Sequence, residues 1–116
     1  MLQWAVLIFA IAALGGLVLA SYVLRGRLAP WPVSLLHAAL GATGLVLTLL
    51  VVLGSGDVPG NTPLALILLL VAALGGFFLA SYHLRKVPGP RAVVLVHASV
   101  AVIGFVLLAG GAFALF

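Results

Sequence analysis

Very few side chains in this protein could bind a metal, carry a proton or fix an anion. Its 116 residues include three histidines, one acid and five lysines or arginines, with no cysteine. Without cysteine there are no disulfides, thiolate metal sites, iron–sulfur clusters or C-x-x-C-H haem attachments. The chemistry falls to imidazole. His37 and His97 are 60 residues apart, and at that offset the two halves of the chain align without a gap. About 20 of the 56 aligned positions are identical, the mark of an internal repeat. Ala12-Ala13-Leu14-Gly15-Gly16, Leu19-Ala20-Ser21-Tyr22 and Leu24-Arg25 recur as Ala72-Ala73-Leu74-Gly75-Gly76, Leu79-Ala80-Ser81-Tyr82 and Leu84-Arg85. Pro30, Val33, Leu35, His37, Ala38 and Gly44 recur as Pro90, Val93, Leu95, His97, Ala98 and Gly104.

On a helix, Val33, His37, Gly41 and Gly44 share one narrow stripe, at steps of four, four and three; Val93, His97, Ala101 and Gly104 share another. A histidine followed on its own face by very small residues makes a shallow trough with a ligand at one end. Two such troughs, facing each other across a two-fold axis, make a flat apolar slot with an imidazole on each side. A haem fits such a slot, because its iron takes axial ligands from opposite faces. His37 and His97 would be those ligands, and Gly41, Gly44, Ala101 and Gly104 would make room for the macrocycle edge. Arg25, Arg85 and Lys86, with Tyr22 and Tyr82, are then available to the propionates, and Ser21 and Ser81 either reach a propionate or back-bond to their own helix. The expectation is one bis-histidine haem b per chain. With both axial positions filled there is no open site for substrate, so the expected role is one-electron transfer rather than enzymatic turnover. A single centre near one face implies a quinone or a redox protein as partner.

The H-A-x-x-[GA]-x-x-G stripe at 37–44 and 97–104 resembles that of small four-helix membrane cytochromes of the b type. It is similar in principle to cytochrome b561-type proteins and to the haem-bearing anchor subunits of succinate dehydrogenase and fumarate reductase. The resemblance covers about a fifth of the chain. It departs from the two-haem pattern, which needs four ligands: His83 is the one remaining histidine, and its repeat counterpart is Val23.

The elements that must position these residues follow from composition. The chain is 66% hydrophobic and 5% charged, with a mean hydropathy of +1.49, whereas a soluble domain carries about 25% charged residues. Bilayer is the solvent that fits, and the length allows about four spans of about 20 residues. Apolar runs cover about Leu2 to Leu24, Trp31 to Leu53, Pro63 to Leu84 and Ala92 to Phe116, with a turn-rich stretch at 54–62 that holds the only acid, Asp57. Each run must be a helix, since a lone strand would leave its backbone unpaired in lipid. The expected fold is an all-α, up-down-up-down four-helix membrane bundle. It is built from a tandem two-helix repeat, residues 1–56 and 61–116, about a pseudo-two-fold axis along the membrane normal. Ala12, Gly16 and Ala20, repeated as Ala72, Gly76 and Ala80, read as small rows for close helix packing. All five basic residues fall in loops 25–30 and 85–91. By the positive-inside rule those loops are cytoplasmic and both termini lie outside, in a bacterial inner membrane, with Trp31, Tyr22 and Tyr82 at the border. The formal charge of +4 reflects this placement and gives no reason to expect nucleic acid as a partner.

Other readings of the histidine pair are a second kind of tetrapyrrole, such as chlorophyll, and plain interhelical hydrogen bonding. Chlorophyll usually takes one axial histidine, so a facing pair would have to hold two pigments. Two histidines alone leave a zinc or copper shell short. A small proton-coupled exporter would need a carboxylate within a span, and none is present. A cofactor-free anchor or assembly subunit accounts for the small rows and basic loops but leaves the matched histidines incidental. His83 reads as an interfacial residue, with help to a propionate or a quinone as its functional alternative.

Overall fold

The computed structural model describes residues 1–54 and 56–116; Ser55, within the expected 54–62 turn, lies outside the described residues. Most of them lie in four helices: α1 Leu2–Leu24, α2 Trp31–Gly54, α3 Thr62–Leu84 and α4 Arg91–Ala112. Each is long and apolar enough to cross a membrane, with hydropathies of 2.2 to 2.6. The 45 Å long dimension matches a bilayer with its headgroups, about 40–45 Å. The chain is an integral membrane four-helix bundle.

The helix ends obey local rules. Pro63 enters at the first turn of α3, where its missing N–H costs nothing. After α1, Arg27 N donates to Tyr22 O at 2.9 Å and Gly26 N to Val23 O at 2.9 Å, with Gly26 at φ +72°. This is a Schellman stop, which calls for a left-handed residue. After α3 the same pair of bonds forms from Val87 to Tyr82 and from Lys86 to His83, both at 3.0 Å. Here the left-handed position is held by Lys86 at φ +58°.

The fourth helix ends at Ala112 and not, as hydropathy alone suggests, at Phe116. Leu115 N donates to Gly110 O at 2.9 Å, and Ala114 adopts φ +52°. The apolar tail thus turns back over Gly110 and Gly111, which replace Leu50 and Val51 of the first repeat. Arg91, expected at the end of a loop, is the first residue of α4.

Each helix packs on two neighbours, α1 on α2 and α4, and α3 on α4 and α2; α2 and α4 stand on one diagonal and α1 and α3 on the other. Exchanging the repeats maps this arrangement onto itself, as a pseudo-two-fold parallel to the helices requires. The hairpins α1–α2 and α3–α4 pack more extensively within themselves than against each other.

Burial is uneven along the bundle. Leu2, Ala5, Val6, Phe9, Ala65, Leu69, Leu108 and Ala112 form one core cluster at the end that carries the termini. Toward the basic loops the interior is looser: between Ala13 and Thr43 only Ala29 is buried, and between Ala73 and Ile103 only Val94. The bundle is sealed at one end and open-packed at the other, and the histidines belong to the open half.

Candidate functional site

His37 and His97 sit six residues into α2 and α4, about 9 Å along each axis at 1.5 Å per residue. Their stripes face inward as the spacing predicts: Val33, His37 and Gly41 are half-buried and Gly44 is buried, and Val93, His97, Ala101 and Gly104 follow the same order. The rings meet across the diagonal, with centroids 6.3 Å apart and planes inclined at 77°.

Each imidazole is fixed in the same way. His37 Nδ1 lies 2.8 Å from Ala12 O, and His97 Nδ1 lies 2.7 Å from Ala72 O, both 25 residues back in the chain. A carbonyl only accepts, so each Nδ1 carries a proton, and in the neutral ring each Nε2 keeps its lone pair. No protein group within hydrogen-bonding reach claims either Nε2 among the described residues. A backbone carbonyl on the distal N–H is the usual support of a metal-binding histidine.

The rings are seated by glycine. A Cβ on Gly16 would lie 3.0 Å from His37 Cε1, and one on Gly76 would lie 3.3 Å from His97 Cε1. Gly15 and Gly75 approach the two histidine Cβ atoms, each at 3.6 Å from an added Cβ. The rows read from sequence as packing residues therefore also shape the seats of the imidazoles. No protein-family model, curated protein or solved structure matches the chain. The site's meaning therefore rests on its own geometry.

The expected site residues divide. Gly41 is inward and roomy, with nothing within 4 Å of an added Cβ. Gly44 and Gly104 do not leave free space: Phe9 fills the first, 2.7 Å from an added Cβ, and Leu69 fills the second at 3.0 Å. A small residue makes room only if its neighbour does not take that room, and here these side chains form the floor of the open half. Tyr22 and Tyr82 are half-buried at its mouth. Arg25 and Arg85 are exposed and folded back, Nε of each donating to the carbonyl of Ser21 or Ser81 at 2.8 and 3.2 Å. Their guanidinium carbons lie 5.2 and 4.3 Å from the centroids of Tyr22 and Tyr82. Ser21 and Ser81 back-bond to Val18 O and Phe78 O, at 2.7 and 2.6 Å. His83 stacks on Trp31, with centroids 3.9 Å apart and planes 14° from parallel.

Two imidazoles bonded to one metal ion through a nitrogen each, at about 2 Å, have ring centroids a little over about 6 Å apart. The observed 6.3 Å is compatible in distance with two imidazoles that would share one metal ion. On the basic side of Phe9 and Leu69, Gly41 is the stripe position where an added Cβ meets nothing within 4 Å.

Proposed function

We propose that this protein is a membrane b-type cytochrome that holds one haem between His37 and His97 and passes single electrons. The observation that carries this reading is the matched pair of imidazoles, each tied through Nδ1 to a carbonyl 25 residues back and each keeping Nε2 free, at a spacing suited to one shared metal. When bound, haem supplies a reversible one-electron couple, with no open iron position once both histidines ligate. His37 and His97 orient and hold it. Phe9 and Leu69 close the apolar floor and exclude water from that side. The hydroxyls of Tyr22 and Tyr82 would hydrogen-bond a carboxylate edge of the haem.

The charge asymmetry supports an orientation with loops 25–30 and 85–91 in the cytoplasm and both termini outside, as in a bacterial inner membrane. The site then lies nearer the cytoplasmic face, and a quinone or a soluble redox protein completes the electron route.

The test is an absorption spectrum of the detergent-purified full chain, oxidised and then dithionite-reduced, with haem added if needed. A sharp low-spin spectrum that changes on reduction is expected. His37→Ala or His97→Ala should each abolish the six-coordinate form, while His83→Ala should retain it. A chain that takes up no haem would sink this reading and leave a cofactor-free anchor subunit in its place.

A further inference from the structure

Arg25 closes a row on α1 comprising Leu14, Val18 and Ser21, all exposed, at steps of four, three and four. Arg85 closes the same row on α3, where Leu74 and Phe78 are exposed and Ser81 is half-buried. Such steps keep one helix face, and this face points out of the bundle toward lipid: Leu14 is 65% and Leu74 68% exposed. Each arginine is held in place before any ligand arrives, by its Nε bond to a serine carbonyl and by the tyrosine ring beside it. Its terminal amino groups have no hydrogen-bond partner among the described residues. A second cation follows within each turn, Arg27 after α1 and Lys86 after α3. Asp57, the one acid, lies at the opposite end beside Met1 and Ala112.

We propose that each of these two Arg–Tyr corners binds the phosphate of an anionic phospholipid in the leaflet at the basic end, with an acyl chain along the apolar row beneath it. A guanidinium fork matches phosphate geometry, the tyrosine marks the headgroup level, and the row beneath supplies an apolar face that free phosphate would not use. Each basic group near an anionic surface strengthens association about fivefold, and the repeat supplies the site twice. This inference stands without haem, because the phosphate contact is the outward guanidinium, and Tyr22 and Tyr82 serve it only through the ring faces that hold the arginines.

The experiment compares the full chain in nanodiscs of phosphatidylcholine alone and with phosphatidylglycerol, read by thermal unfolding and by native mass spectrometry of retained lipid. Higher stability with phosphatidylglycerol is expected, with two such lipids retained per chain, one in R25Q or R85Q, and none in the double variant. The preference should also shrink as salt is raised on the unmodified protein, a reading that needs no variant to fold. Equal stability in both lipids, or a double variant that keeps its phosphatidylglycerol, would overturn the proposal. So would inorganic phosphate giving the same stabilisation in phosphatidylcholine, which would make the ligand a free anion. A double variant that keeps the lipid preference but loses added haem would return the arginines to the propionates, overturning the proposal and upholding the cytochrome. A colourless protein with the preference intact would do the reverse.

Discussion

At the scale of single residues, the site depends on atoms that carry no side chain. Gly16 and Gly76 let an imidazole lie against a helix backbone, where Ala12 O and Ala72 O accept its N–H. Gly16→Ala should push the His37 ring off its carbonyl and lower stability by about 1 kcal/mol, the scale of an interhelical hydrogen bond in a membrane. Gly76→Ala should cost less, since the approach there is 3.3 Å rather than 3.0 Å. Unfolding of both variants in mixed micelles checks the order, and a Gly16→Ala protein as stable as the parent would contradict it. The histidine pair and its depth were legible in sequence from spacing alone. The carbonyl anchors were not, because they depend on the register between helices, which no residue type encodes. Gly44 and Gly104 misled for a related reason: sequence shows that a residue is small but not which neighbour, Phe9 or Leu69, takes the space.

At the scale of elements, the two Schellman turns make a controlled comparison. Gly26 adopts φ +72° without a Cβ, whereas Lys86 holds φ +58° with one, at a cost of about 1–2 kcal/mol for a non-glycine residue. Lys86→Gly should therefore stabilise the bundle by about 1 kcal/mol relative to Lys86→Ala, both variants having lost the same charge. Gly26→Ala should destabilise by a similar amount, and denaturation of the three variants in parallel checks both signs. The starts and ends of α1, α2 and α3 were legible because Arg, Pro and Gly bound apolar runs. The end of α4 was not: Phe113 to Phe116 continue the hydropathy, and the stop lies in Gly110-Gly111 and the left-handed Ala114. The replacement of Leu50 and Val51 by glycine in the second repeat was the available signal.

At the scale of the whole molecule, the bundle is dense at the termini and loose toward the basic loops. Since the chain has no cysteine, single cysteines report this gradient without background. Gly41→Cys, with open space around it, should react with a small maleimide and become protected when haem is added. Leu108→Cys, at 0% exposure, should stay unreactive until the protein unfolds; equal reactivity at the two positions would remove the gradient. The anchors also have a consequence for biosynthesis. Ala12 O and His37 belong to one hairpin, and Ala72 O and His97 to the other. At about 5–20 residues per second, the first hairpin waits about 3–12 s in the bilayer while the second is made. Because each histidine and the carbonyl that accepts its N–H lie in the same hairpin, neither anchor has to wait for the other hairpin to supply its partner.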